Sequence, residues 1–95
     1  MDERVTKIGE ILRTAAETHH VVFGIVDGED ADWASWYSDW LINLSELPAL
    51  LGAKPVRSQL THRLVRLDKE YVAAKPGTPW EQYYARSLVE QFASP

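Results

Sequence analysis

Apolar side chains recur along this chain at the spacing of amphipathic helices, in stretches separated by turn residues. From residue 3 to about residue 23 they fall at i, i+3, i+4 and i+7, which predicts a first helix with one buried stripe. Its members are Val5, Ile8, Ile11, Leu12, Ala15 and Ala16, continued by His19, Val22 and Phe23. Residues 21–26 are rich in β-branched side chains, so a short extended segment is the alternative there.

The stretch from Asp30 to Leu44 holds three of the four tryptophans and predicts a second helix that ends near Asn43. On a helical wheel its apolar side chains fill one arc, with Ser38 on the opposite side. The arc contains Trp33, Trp36, Tyr37, Trp40, Leu41 and Leu44. Because each indole buries on the order of 150–250 Å², this arc must face the core or a partner. We expect the three tryptophans to be mainly core, with Tyr37 and Ile42 at the rim.

Two further helices follow along the chain. Ser45 is predicted to cap a short helix over residues 46–51, which Gly52 ends. Ser58 is predicted to cap a longer helix that reaches about Ala74 and is central in the bundle, because its apolar face is broad. That face is formed by Leu60, Leu64, Leu67 and Tyr71, widened by Thr61, Val65 and Val72.

The last helix is predicted to begin at Thr78-Pro79-Trp80-Glu81, which has the form of a capping box with proline at the first helical position. Its apolar stripe is Trp80, Tyr84, Leu88 and Phe92. The connections between the predicted helices are short, which favours antiparallel neighbours. The pattern therefore predicts an all-α protein, a compact bundle of four main helices plus one short helix.

Composition narrows the class of protein further. Ninety-five residues, 45% of them hydrophobic, suit one globular domain spanning residues 1–95. The absence of cysteine excludes disulfides, thiolate metal sites and cysteine nucleophiles. The first ten residues are rich in charged side chains and contain no apolar signal-peptide core, and no apolar run of about 18 residues occurs. We therefore expect a soluble, cytoplasmic protein without membrane association.

Charge is unevenly distributed along the chain. Residues 14–53 contain seven acidic residues and no lysine or arginine, whereas residues 54–75 carry six basic and two acidic residues. The two segments either neutralise each other within one fold or pair between copies of the chain. Arg63 and Arg66 share a helix face that can contact phosphates, but the acidic segment would repel a nucleic acid, so we do not expect one as a partner.

Candidate metal and catalytic motifs are weak. Glu17 and His20 have the Glu-x-x-His spacing of di-metal bundles, but both project from the polar side of the first helix. His62 has Gln59 three residues before it, which is a poor ligand. The acidic turn over residues 27–32 does not reproduce an EF-hand loop and is interpreted as a turn and helix cap. With no nucleophile elbow or phosphate loop either, we expect no metal, no cofactor and no enzymatic activity.

Two functions from different classes remain. The first is an accessory or adaptor protein that acts through protein contacts and self-associates, since we expect a chain of this size to leave some aromatic side chains at its surface. Its interface candidates are Tyr37, Ile42, Tyr83, Arg63 and Arg66. The second is a small-molecule or metal site near the tryptophan helix, with pocket candidates His19, Trp33, Trp40, Tyr71 and Trp80.

Overall fold

The structure, a computed structural model, describes residues 3–26 and 32–93, without the side chains of residues 22–26. Five helices make up most of these ranges, and no strand occurs within them. They are α1 (Glu3–Val26), α2 (Trp33–Asn43), α3 (Leu47–Leu51), α4 (Arg57–Ala74) and α5 (Trp80–Phe92). The predicted all-α bundle of four main helices and one short helix is confirmed, and residues 21–26 are helical rather than extended.

The packing of the helices follows from a few side-chain contacts. α1 packs against α2, α3 and α5, and α2 packs against α1, α3 and α4, whereas α4 packs only against α2 and α5 among the described helices. The prediction that α4 is central is therefore wrong. His19 meets Trp36, while Ile11, two turns earlier on α1, lines the same depression as Trp40. Moving back along α1 therefore means moving forward along α2, and these two helices are antiparallel.

The core consists mainly of leucine side chains. The large apolar side chains with essentially no exposure are Ile8, Leu12, Leu41, Leu47, Leu51, Leu60, Leu64, Leu67 and Leu88. Each fully buried leucine contributes roughly 1.5–3 kcal/mol relative to an exposed one. The stripes predicted for α1, α4 and α5 supply most of this core. Val72 is an exception. The hydrophobic pattern predicts it on the buried flank of α4, but it is 64% exposed.

The orientation of α2 differs from the prediction. Its buried side chains are Ala34, Ser38, Leu41 and Ile42, and the three tryptophans are only half-buried. Ser38 donates a hydrogen bond to the Ala34 carbonyl oxygen and accepts one from the Thr61 hydroxyl, both at 2.8 Å. Small side chains let α2 and α4 approach closely at this contact, and bulky indoles are displaced to its edges. The placement of the tryptophans in the core and of Ile42 at the rim is therefore wrong.

Gly9 lies where α1 and α5 pack closely. It is buried, and a methyl group added to it would lie 3.6 Å from the backbone oxygen of Glu81. That is an ordinary contact distance, so the space beside Gly9 accepts a methyl group.

Two of the predicted helix caps, Ser58 for α4 and the capping box for α5, are wrong. α4 begins at Arg57, before Ser58, and no side chain caps it. α5 follows Pro79 without a side-chain cap, so the predicted capping box does not form. Glu81 instead accepts a hydrogen bond of 2.7 Å from the Arg13 guanidinium of α1. The Ser45 hydroxyl does accept a hydrogen bond of 3.1 Å from the Leu47 amide, as predicted. Gly52 ends α3 with its backbone in the left-handed region, at φ 71°.

Acid is expected to weaken the link between α1 and α5. The Arg13 guanidinium holds the pKa of the Glu81 carboxyl below its usual value, first through their hydrogen bond. A lowered pKa contributes stability above the unfolded-state value of 4.5 and loses it as the pH falls through the folded value. The stability difference between the native chain and Glu81→Gln, measured by urea unfolding, should therefore be present at neutral pH and shrink below about pH 4.

A matched control for this measurement lies on the same helix. Glu90 is exposed on α5, so Glu90→Gln should leave stability nearly unchanged across the same pH range. A Glu81→Gln difference that stays constant down to about pH 3 would contradict the proposed role of the ion pair.

No helix in residues 3–26 or 32–93 has both the length and the apolar composition needed to cross a membrane.

Candidate functional site

A cavity of about 390 Å³ lies between α2, α4 and α5 and is the candidate functional site. We call it the aromatic pocket; its lining is Trp33, Tyr37, Asp68, Tyr71, Trp80 and Tyr84. Its volume falls within the range of about 300–1,000 Å³ that is typical of small-molecule sites. A larger depression of about 640 Å³ beside Arg57 and His62 is lined mainly by exposed side chains and lacks aromatic walls.

The aromatic pocket lies where the beginnings of two helices meet the end of a third. Trp33 is the first residue of α2 and Trp80 the first residue of α5, and each is followed one turn later by a tyrosine. Tyr71 lies in the last turn of α4, with Asp68 three residues before it. The i, i+3 and i, i+4 spacings place each pair on one helix face, so three short stretches supply the whole lining.

Ring contacts hold the walls of the pocket in place. Trp33 meets Tyr37 at 5.7 Å and 77°, and Trp80 meets Tyr84 at 5.3 Å and 81°. Tyr71 meets Tyr84 at 6.3 Å and 75°. Such edge-to-face pairs contribute about 0.5–1.5 kcal/mol each beyond their area burial. The Tyr71 hydroxyl also donates a hydrogen bond to the Thr78 carbonyl oxygen, which ties α4 to the segment before α5.

Asp68 gives the pocket its charge. It is exposed at the mouth, and the Tyr84 hydroxyl lies within hydrogen-bonding reach of its carboxylate. Burial of Tyr84 raises the pKa of its phenol, and the nearby Asp68 charge raises it further. Tyr84 therefore stays neutral around physiological pH, with its hydroxyl close to Asp68. The lining thus combines five aromatic rings with one carboxylate.

Three of the five pocket candidates line this cavity, namely Trp33, Tyr71 and Trp80. The other two do not. His19 packs edge-on against Trp36 at 4.9 Å and against Tyr37 at 5.1 Å, and Trp40 stacks on Trp36 at 6.5 Å.

The sequence-based prediction did not include Asp68 and Tyr84 among the pocket residues. Tyr84 stands one turn after Trp80, and Asp68 stands three residues before Tyr71, so helical spacing from the known candidates was the available signal.

The five interface candidates lie in different environments. Tyr37 lines the pocket, and Ile42 is buried at 9% exposure, which removes it as a surface contact. Tyr83 is half-buried and packs on Tyr71 at 5.3 Å. Arg63 donates hydrogen bonds to Ser87 of α5 and lies 3.5 Å from Glu70, which Arg66 approaches at 4.0 Å. These two contacts place both arginines beside a carboxylate of their own helix.

Within the described ranges, no group of three or more histidine, aspartate or glutamate side chains is arranged to hold a metal ion. Most of the acidic turn, residues 27–31, lies outside those ranges. No protein-family model, curated protein or solved structure matches the chain. The interpretation of the aromatic pocket therefore rests on its geometry and chemistry.

Proposed function

We propose that this chain is a non-catalytic binding protein that holds a small organic molecule in the aromatic pocket. The observation that carries the proposal is the convergence of five aromatic side chains from three helices on one cavity of about 390 Å³. Trp33 and Trp80, at the beginnings of α2 and α5, pack against the leucine core and also line an open cavity. Apolar walls with a few polar groups are typical of ligand sites.

The polar groups of the lining favour binding over chemistry. Its carboxylate, Asp68, is exposed, and the raised pKa of the neighbouring Tyr84 phenol keeps that hydroxyl protonated. The lining contains no histidine, serine or lysine to act as a base or a nucleophile. These side chains can orient a ligand and exclude water from it.

Fragment screening by protein-observed NMR tests this function. Fragments that bind should shift the indole signals of Trp33 and Trp80, because both rings line the cavity. Trp80→Leu should weaken the best fragment about tenfold or more, since an apolar side chain of different shape replaces a ring wall. The matched control is Trp40→Leu, which changes a half-buried indole of α2 outside the pocket and should leave binding unchanged. Hits that map elsewhere, or equal effects of the two variants, would refute the proposal.

Self-association is a second candidate function, favoured by one stripe of α2. Trp36, Trp40 and Leu44 follow each other at intervals of four residues, so they share one side of the helix. The two indoles are half-buried, and Leu44, beyond the end of α2, is 71% exposed. Partly exposed tryptophans are enriched at the centres of protein interfaces. This stripe, rather than Ile42, is the surface through which two copies would pack.

Sedimentation equilibrium tests the stripe. A native chain that uses it should form dimers that Trp36→Lys converts to monomers, because a charge at the centre of the contact would be buried. Val72→Lys, at an exposed position of α4, is the matched control and should leave the dimers intact. A native chain that stays monomeric at high micromolar concentration would rule out this second function.

A further inference from the structure

We infer that the aromatic pocket binds an organic cation with a methylated ammonium head group. This inference rests on the proposed function of the pocket and specifies the chemical class of its ligand. It follows from the composition of the lining, from the position of Asp68 and from the charge around the pocket entrance.

The first step concerns the aromatic walls. Tyrosine and tryptophan rings attract a cation through the negative potential of their faces, and quaternary ammonium groups are the ligands that aromatic cages typically hold. Here the walls are Trp33 and Tyr37 on one side and Tyr71, Trp80 and Tyr84 on the other. Neighbouring rings stand at 75–81° to each other, so they enclose the cavity from different directions.

The second step concerns the carboxylate at the mouth. Asp68 supplies a carboxylate next to five aromatic rings, with the Tyr84 hydroxyl close by. An anionic ligand would be repelled by this group, and a neutral ligand would have no Coulomb attraction to it. A cation gains from the carboxylate and from the rings at the same time.

The third step separates methylated ammonium from a simple amine. A primary ammonium is a compact and strongly hydrated charge that needs hydrogen-bond acceptors when it leaves water. For the three N–H donors of such a group the lining offers one carboxylate, Asp68 at the mouth, and its other walls are rings. A methylated head group spreads its charge over methyl groups that pack against rings, so it suits these walls better.

The helix ends around the pocket have to be included in the charge balance. The beginnings of α2 and α5 carry partial positive charge, which disfavours a cation. Asp32 precedes the first residue of α2 and offsets the charge there, whereas Glu81 in the first turn of α5 is already paired with Arg13. The end of α4, which holds Tyr71, contributes partial negative charge. Asp68 and this helix end therefore oppose the partial positive charge that remains at the beginning of α5.

A pair of isosteric probes tests the inference. Choline carries a trimethylammonium group, and 3,3-dimethylbutan-1-ol has the same shape with a neutral carbon in place of nitrogen. Titrated into the full chain and followed by NMR, choline should bind at least about tenfold more tightly than the neutral alcohol. The signals that shift should include those of Trp33 and Trp80.

Variants of one carboxylate each complete the test. Asp68→Asn removes the charge and keeps the shape, so it should reduce choline affinity several-fold and leave the neutral alcohol unchanged. Asp39→Asn is the matched control, because Asp39 is exposed on α2 outside the pocket, and it should affect neither probe. Because Asp68 and Asp39 are both exposed, neither substitution should disturb the fold. Thermal unfolding of the two variants verifies this.

Two outcomes would overturn the inference. Equal binding of choline and the neutral alcohol would show that charge is not recognised, while the pocket would still be a binding site. Failure of both probes to bind would also overturn it, and the fragment screen would then decide separately whether the proposed function stands. A peptide carrying trimethyllysine distinguishes the source of the cation: tighter binding than choline assigns the head group to a protein side chain, and weaker binding assigns it to a free small molecule.

Discussion

Leu64→Ala is expected to lower the free energy of unfolding by about 2–5 kcal/mol. Leu64 lies at the middle of α4 with no exposed surface, between neighbours that belong to the same leucine core. Removing its isobutyl group loses apolar burial and leaves a cavity that the surrounding helices fill only in part. Because a chain of 95 residues has a modest stability to begin with, this is a large fraction of the total.

Val72→Ala on the same helix provides the comparison. Val72 is 64% exposed, so its truncation should change stability by no more than about 0.5 kcal/mol. Urea unfolding followed by circular dichroism measures both values, and the melting temperature should fall by about 4–8 °C for each kcal/mol lost. Similar losses for the two variants would show that α4 is rotated relative to the orientation described above.

Ile42→Ala is expected to cost about 2–5 kcal/mol, whereas Leu44→Ala should cost almost nothing. Ile42 is 9% exposed and belongs to the core, while Leu44 is 71% exposed just beyond the end of α2. The hydrophobic pattern alone predicts the opposite order, since the wheel places Leu44 in the apolar arc and Ile42 outside it. The two substitutions therefore test the orientation of α2 directly.

The measurement is the same urea titration, with the pair compared in one buffer. A larger loss for Leu44→Ala than for Ile42→Ala would mean that the tryptophan arc faces the core after all. In that case Trp33 and Tyr37 would not line an open cavity, and the aromatic pocket would have no ligand-binding role. The stability of this pair thus bears on function as well as on fold.

Much of the fold could be predicted because three helices carry their core residues at regular spacing. The buried positions in the stripes of α1, α4 and α5 are mostly leucine and isoleucine, with Tyr84 on α5, and at these positions hydrophobicity and burial agree. In α2 the two properties separate. A helical wheel of α2 assigns the buried face to the tryptophans because they are its largest apolar side chains. The close contact with α4 needs small side chains instead, and Ala34 and Ser38 supply them. Packing geometry, which the wheel does not contain, determined the buried face.

The cap predicted for α5 illustrates a second limit of sequence patterns. Thr78 and Glu81 have the spacing of a capping box, yet Glu81 bonds to Arg13, 68 residues earlier in the chain. A local motif predicts a local partner, and a distant partner of opposite charge can replace it. The aromatic pocket is subject to the same limit. Trp33, Tyr71 and Trp80 could be selected by residue type, but their meeting with Asp68 depends on how three helices converge.

The aromatic pocket is assembled from three helices that are distant in sequence, so it exists only in the folded chain. A ligand that binds there adds its own free energy to folding by mass action. At a concentration one hundred times its Kd, it would stabilise the chain by about 2.7 kcal/mol. This equals a substantial part of the stability of a small domain. The lifetime of this protein in a cell would then follow the supply of its ligand, with the empty chain the first to be degraded.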